Sequence, residues 1–351
     1  MGNKFMLFLL VWYIVVSLVI TGAIDALNNA NIANLDALIA SPWLIIGMQT
    51  LGLLLPLFLW IYMKKDSFMA NMPRMPLGGT NILIIIMLGF FLQPVMMLVS
   101  GISSLFFTNH VSVMMYDFMQ QPIWLILLAM AVTPAVIEEL VFRGYLQSQH
   151  SNFPIKQAAL MNGLFFGIIH LNPQQFSYAF VLGVIFAYMV YYTRSIWAGI
   201  LPHFIFNASQ GLLGRWAFSV ETETAYAYEA PAEWAFAAEN PALAGVLILG
   251  IINIFVLPVV IALFVALIKH NKSRVETQQQ SPTWAGGTTC SEYSAAEATN
   301  WPASYVPPDY SYTNEYPAPE PKPRLFDRYA IAVIAIFIVL SALPYIIPYI
   351  I

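Results

Sequence analysis

Charged side chains are scarce in this sequence. Asp, Glu, Lys and Arg make up only 9 % of its 351 residues, whereas 59 % are hydrophobic. A soluble globular domain is nearer a quarter charged, and a soluble chain of this length could not bury so much apolar side chain. The scarcity therefore excludes an ordinary soluble protein and predicts that lipid is the solvent for much of the chain. The fold class that follows is all-α, a polytopic membrane protein.

Cysteine is nearly absent as well. The single cysteine, Cys290, excludes a disulfide within the chain and argues against a cysteine-based metal site. The net charge is −4 and no basic face is apparent, so nucleic acid is not an expected partner. No internal repeat is detectable, which counts against a transporter built from inverted repeats.

Nine apolar stretches are read as membrane spans, each of which needs roughly 20 apolar residues. They cover residues 5–24, 43–63, 81–106, 122–147, 157–172, 176–193, 195–213, 242–268 and 329–351. With the N-terminus in the cytosol, every Lys and Arg except Arg143 and Arg215 falls on the cytosolic side. This bias obeys the positive-inside rule and predicts an external C-terminus.

The spans divide the chain into segments of different character. Residues 1–121 hold the first three helices, and residues 122–213 hold helices 4–7, the candidate catalytic core. An external acidic loop at 214–241 and helix 8 at 242–270 follow. Residues 271–326 are polar and rich in Pro, Ser and Thr, which predicts a disordered cytosolic linker. A ninth helix at 327–351 ends the chain.

Three of the predicted spans carry ionisable side chains. A charge near the centre of a membrane helix costs roughly 2.5–3.5 kcal/mol on insertion scales, so such residues are usually paired and functional. In the fourth span, Glu139 and Arg143 are four residues apart and can form an ion pair on one helix face. Glu138 points about 100° away from Glu139 and stays free of that arginine. Thr133 and Pro134, just before them, predict a kink or a restart of the helix.

The fifth and seventh predicted spans carry histidines. Phe166 and His170 share a face of the fifth span, and His203 and Asn207 share a face of the seventh. Either pair alone is compatible with a structural role in helix packing. Counted at about 1.5 Å per residue from the predicted cytosolic ends, Glu138, His203 and His170 lie about 14, 12 and 20 Å deep. The three groups can therefore meet in one buried cavity.

These groups have the chemistry for peptide hydrolysis, which needs an activated water and a site for the oxyanion. Glu138 can take the proton of the water, and His170 can share that role or orient the water. His203 and Asn207 can donate to the developing oxyanion. The ion pair of the fourth span would support them. A proton-coupled transporter is the rival class, because such proteins also use carboxylates and histidines within helices.

The nucleophile and metal motifs of soluble proteases are missing. No serine or cysteine accompanies these groups in a nucleophile motif, and no histidine is followed by glutamate, so His-Glu-x-x-His is absent. A zinc site made from His170, His203 and Glu138 remains chemically possible. The preferred prediction is a site without a metal, with Zn²⁺ as the alternative cofactor.

The ordered motifs Glu-Glu-x-x-x-Arg, Phe-x-x-x-His and His-x-x-x-Asn, on separate membrane helices, resemble the CPBP family. This family contains the CAAX proteases and bacteriocin-processing enzymes, also called Abi, and includes the type II CAAX prenyl endopeptidase. The resemblance covers about residues 122–213 and implies an intramembrane endopeptidase. It implies that the catalytic residues are Glu138, Glu139, Arg143, His170, His203 and Asn207, with Phe166 as substrate or structural support.

The resemblance also implies roles and partners. The first glutamate would activate water with the first histidine, while the second histidine and the asparagine would form the oxyanion hole. The family is often described as metalloproteases, although the glutamate mechanism needs no metal. The expected partners are the lipid bilayer and a membrane-embedded or lipid-anchored peptide or protein, in a prokaryotic plasma membrane. A zinc metalloprotease, a proton-coupled transporter and a non-catalytic bacteriocin-immunity protein are the alternatives.

Overall fold

The computed structural model describes residues 1–30, 41–107, 118–224, 240–279 and 324–346. Within these ranges 86 % of the residues are helical and no strand is present. Nine helices of 14 residues or more lie in this part of the chain, in the order of the nine predicted spans. They are α1 (Gly2–Asn29), α2 (Pro42–Lys64), α3 (Gly79–Ser104), α4 (Ile123–Gln149), α5 (Ile155–Ile168), α6 (Pro173–Thr193), α7 (Trp197–Thr224), α8 (Pro241–Gln279) and α9 (Arg328–Ile346).

Six of these helices are long and apolar enough to cross a membrane, namely α1, α2, α3, α4, α6 and α8. Large apolar side chains on their outer faces are exposed, as at Phe255 and Ile254 of α8, where only lipid could cover them. The chain is therefore an integral membrane protein. The predicted count of nine spans is not confirmed, since α5 has only 14 residues and α7 and α9 are not among the six.

Helix α5 ends earlier than the predicted fifth span. It stops at Ile168, so His170 lies in the turn that follows rather than on the helix. Leu171 takes a left-handed conformation, with φ of 51°, and reverses the chain. Asn172 then caps α6, its side chain accepting hydrogen bonds from the next two free amides, and Pro173 fixes the first turn.

Two predicted polar segments begin later than expected. The linker was expected from residue 271, but α8 continues to Gln279. Asn271 exchanges hydrogen bonds of 2.7 and 2.9 Å with Asn81 of α3, which holds this part of α8 against the bundle. The acidic loop was expected from residue 214, but α7 continues to Thr224. Residues 225–239 and 280–323 of these segments lie outside the described residues, as do residues 347–351.

Helix α4 changes its hydrogen-bonding pattern around the two glutamates. An α-helical stretch, Thr133–Glu139, lies between two π-helical stretches, Leu128–Val132 and Leu140–Leu146. The predicted restart of the helix at Thr133 and Pro134 is the change from π-helical to α-helical hydrogen bonding at Thr133. Pro134 lies in the first turn of the α-helical stretch. Such π-helical turns occur frequently at functional sites, where they re-aim side chains.

Helices α5 and α6 approach closely behind α4. A Cβ atom built on Gly183 of α6 would lie 2.7 Å from the Cα of Gly163 on α5, so the two backbones meet where neither residue has a side chain. This contact brings the Gly183 carbonyl within reach of Arg143 on α4. Small residues are the usual means by which membrane helices pack at such short range.

Candidate active site

Glu139 and Arg143 form the predicted ion pair, with Arg143 Nη1 at 2.8 Å from Glu139 Oε1 and both side chains fully buried. The guanidinium also donates from Nη2 to the Gly183 carbonyl at 3.3 Å. Its Cζ atom lies 4.2 Å from the centroid of the Phe166 ring, a cation–π contact. Arg143 is therefore fixed by three helices, and it keeps Glu139 in one place.

His203 joins the same carboxylate from α7. Its Nδ1 lies 3.0 Å from Glu139 Oε1, and its Nε2 lies 4.0 Å from Glu138 Oε2. A carboxylate paired with arginine only accepts hydrogen bonds, so Nδ1 carries a proton. The Nε2 atom therefore faces Glu138. The two neighbouring glutamates thus differ, since Glu139 is held by two partners and Glu138 makes no hydrogen bond among the described residues.

His170 reaches the site from the turn after α5. Its Nδ1 is 2.8 Å from the Phe166 carbonyl oxygen, which can only accept, so Nδ1 is the protonated nitrogen and Nε2 is free as an acceptor. The imidazole meets the Phe166 ring edge to face at 5.3 Å. The same ring meets His203 at 5.8 Å. Phe166 therefore lies between both histidines and Arg143.

A cavity of about 630 Å³ joins these groups. Five of the seven residues predicted for the site line it: Glu138, Phe166, His170, His203 and Asn207. The other two, Glu139 and Arg143, lie behind the cavity wall. Asn207 is half-buried, and its amide has no hydrogen-bond partner in the described ranges. Side chains from α4, α5, α7 and the turn after α5 thus meet at one cavity.

Several polar residues that line the cavity were not predicted from the sequence. Tyr178 and Gln210 line it. Gln210 donates to Gln93 Oε1 at 2.7 Å, and Gln93 donates to the Phe206 carbonyl at 3.3 Å. This link ties α7 to α3 beside Asn207. Gln93 and Gln210 could have been noticed in the sequence, because each lies in an otherwise apolar helix, where a side-chain amide needs a hydrogen-bond partner.

Gly199 is required for the approach of α7 to Glu139. A Cβ atom at this position would collide with Glu139 Oε2. We expect Gly199→Ala to displace the carboxylate from Arg143 and His203, and so to lower both the melting temperature and the activity. Gly250→Ala in α8 is the matched control, because nothing lies within 4 Å of its Cβ position. Equal melting temperatures for the two variants would show that Glu139 can be displaced without loss of stability.

The donor groups do not fit a three-ligand metal site. Both histidines use Nδ1 for a hydrogen bond and leave Nε2 toward the cavity, an orientation that metal-binding histidines share. Among the described residues, however, no group of three or more His, Cys, Asp or Glu side chains is placed so that it could hold one metal ion. A catalytic zinc usually has three protein ligands.

Comparison with known proteins agrees with the location of this site. Residues 120–209 match the family model of type II CAAX prenyl endopeptidase Rce1-like proteins. The predicted family resemblance is confirmed for this segment, which contains every residue predicted for the site. The matched family is a protease family. No curated protein and no solved structure matches the chain.

Proposed function

We propose that this protein is an intramembrane endopeptidase that hydrolyses peptide bonds with a water molecule activated by Glu138. One observation carries the proposal: of two adjacent buried glutamates, Glu139 is held by Arg143 and His203, whereas Glu138 faces the cavity without an ion pair shorter than 4.0 Å. A general base needs a free carboxylate beside the reacting water, and a second, fixed carboxylate keeps the neighbouring imidazole in place. The protease family of residues 120–209 supports this reaction class.

The attacking water would be held by Glu138 together with a histidine. In the proposed arrangement the water donates one hydrogen bond to Glu138, at an ordinary distance of about 2.8 Å, and one to the free Nε2 of His170, since both side chains line the cavity. Glu138 takes one proton as the water oxygen bonds to the carbonyl carbon. The carboxyl group then returns that proton to the leaving amine as the C–N bond breaks. The products are a new carboxyl end and a new amino end.

The oxyanion of the tetrahedral intermediate would be stabilised from α7. The Asn207 amide has no other partner among the described residues and lies one helical turn from His203. When His203 carries a proton on both nitrogens, Nδ1 donates to Glu139 and Nε2 donates to the oxyanion. Hydrogen-bond donors that are already oriented give large effects in a site shielded from water. The substrate we propose is a membrane-embedded or lipid-anchored peptide or protein.

A comparison of new N-termini tests the activity directly. Membranes and secreted peptides from cells with and without this protein are compared by quantitative mapping of protein N-termini. We expect N-termini that depend on the wild-type protein and arise within or beside apolar segments. A proton-coupled transporter or a non-catalytic immunity protein would produce none.

Asn207→Ala tests the oxyanion role. Loss of one oxyanion donor is expected to lower kcat by about 10²–10³-fold. The Michaelis constant is expected to change little, because the hydrogen bond matters mainly in the transition state. Steady-state kinetics of purified protein on a cleaved peptide measure both. A large rise in KM with kcat unchanged would place Asn207 in substrate binding instead.

A zinc-dependent reaction is the second candidate, favoured by the shared orientation of the two histidines. We expect purified protein to contain no stoichiometric zinc and to keep its activity after dialysis against a chelator. Elemental analysis, repeated on His203→Ala, measures the metal content. One zinc per chain that is lost in this variant, with activity following zinc content, would make His170 and His203 ligands and would remove Glu138 as a metal-free base.

A further inference from the structure

Helix α6 forms one wall of the cavity and carries two polar side chains there that the proposed reaction does not use. Gln174 and Tyr178 both line the cavity. They are four residues apart on the same helix, so they share one face. Leu182, one turn further along α6, continues the lining with an apolar side chain. Gln174 and Tyr178 are here called the α6 binding face.

The packing of α6 fixes the direction of this face. Phe176 packs against α5, where a Cβ atom built on Gly167 would lie 2.7 Å from the Phe176 ring. Ser177 donates a hydrogen bond to Ser103 of α3 at 2.9 Å. Successive residues of an α-helix point about 100° apart, so with these two directed to α5 and α3, Tyr178 is directed into the cavity.

Both side chains of the α6 binding face have hydrogen-bonding capacity that the described part of the chain does not use. The Tyr178 hydroxyl makes no hydrogen bond there, and its ring lies 6.2 Å from that of Phe206, the residue before Asn207. Gln174 is only 9 % exposed, yet its Oε1 has no hydrogen-bond partner, which is costly for a buried group. The terminal torsion of glutamine has broad minima, so either end of the amide can turn to a ligand.

A peptide backbone is the ligand that matches these groups. A hydroxyl and a carboxamide are both neutral, and each can donate and accept, as a peptide group does. Where a membrane substrate is extended for cleavage, its backbone N–H and C=O groups lose their helical partners. At membrane depth such groups are costly unless the protein supplies new partners. The α6 binding face has both a donor and an acceptor available for this purpose.

We infer that Gln174 and Tyr178 bind the extended backbone of the substrate and hold it beside Glu138 and Asn207, which line the same cavity. The inference rests on the proposed function. Recognition by the α6 binding face depends on the main chain of the substrate. The face therefore selects an extended segment and does not require a particular sequence.

Peptide binding to a variant without the general base tests the role of Tyr178. The probe is an end-blocked octapeptide of valine and alanine with a neutral fluorophore, because backbone recognition needs no particular side chains. Fluorescence anisotropy measures its binding to purified Glu138→Gln protein in detergent, and excess unlabelled peptide defines the saturable part. Adding Tyr178→Phe should raise Kd by about 3–10-fold, the effect of one neutral hydrogen bond.

Tyr188→Phe in the same background is the matched control. It removes the same atom from α6, but at a residue whose ring packs on Phe264 of α8. We expect this variant to bind the probe as the Glu138→Gln protein does. Equal Kd values for the Tyr178→Phe and Tyr188→Phe variants would overturn the inference. The absence of saturable binding by the Glu138→Gln protein would overturn it as well.

Single ester substitutions in the probe test the contact with the backbone. Each replaces one N–H with an oxygen and keeps the length of the peptide. At one position we expect binding to Glu138→Gln protein to weaken by about 3–10-fold. The variant that also carries Gln174→Met and Tyr178→Phe should show no further loss there, because contacting groups are not additive. Additive losses at every position would overturn the inference. No arm needs cleavage, so failure of hydrolysis by the wild type and failure of this inference are distinguishable.

Discussion

Replacing Glu138 with glutamine is expected to lower turnover by about 10²–10⁴-fold, the usual contribution of a general base. The amide has the same shape but cannot accept the proton of the water. The melting temperature should stay close to that of the wild type, because the Glu138 carboxylate has no hydrogen bond among the described residues and lies 4.0 Å from His203. Kinetics and thermal melting of the same purified sample measure the two quantities.

Glu139→Gln is the matched control, one residue away and of identical size change. This substitution leaves the guanidinium of Arg143 buried without its counter-charge, and it weakens the hydrogen bond to His203. We expect it to lower both activity and melting temperature. The contrast between the variants is the test: if Glu138→Gln retained turnover while Glu139→Gln abolished it, the assignment of the free glutamate as the base would be wrong.

The ion pair on α4 could be predicted from the sequence because it depends on one helix. Glu139 and Arg143 stand four residues apart, and α-helical geometry brings such residues to one face. The membrane environment strengthens the prediction, because burying either charge in lipid without the other has a high free-energy cost. The convergence of α4, α5 and α7 was also accessible, because helix depth can be counted along the chain.

The contact between His203 and Glu139 could not be predicted in the same way. The two residues are 64 positions apart, and their distance depends on how α7 packs against α4. That packing requires a glycine at position 199, because a Cβ atom there would collide with Glu139. Nothing in the sequence around Gly199 indicates this requirement. Sequence spacing instead paired His203 with Asn207 along one helix. The relation between helices is a property of the packed bundle.

Helix ends were the least predictable features. The turn at His170 arises from Leu171, whose left-handed conformation cannot be read from the residue type, followed by the Asn172 cap. The extension of α8 past residue 270 depends on the reciprocal contact of Asn271 with Asn81, 190 residues away. Hydropathy marks where a chain prefers lipid, and it carries little information about where helical hydrogen bonding stops.

Arg143→Ala is expected to destabilise the protein by about 3–5 kcal/mol, the cost of leaving a buried charge without its partner. Four contacts disappear together: the ion pair with Glu139, the hydrogen bond to the Gly183 carbonyl and the cation–π contacts with Phe166 and Phe186. Activity should fall as well, since His203 is held by the same carboxylate. Thermal melting in detergent and cleavage of a peptide measure the two effects.

A double variant separates stability from catalysis at this pair. Glu139→Gln combined with Arg143→Met removes both buried charges, and replacing a whole buried pair is often neutral for stability. We expect the melting temperature to recover relative to Arg143→Ala, while activity stays low because a neutral amide holds His203 more weakly than a carboxylate does. Recovery of both would mean that the pair only stabilises the fold. Normal stability and activity already in Arg143→Ala would mean that the pair contributes to neither.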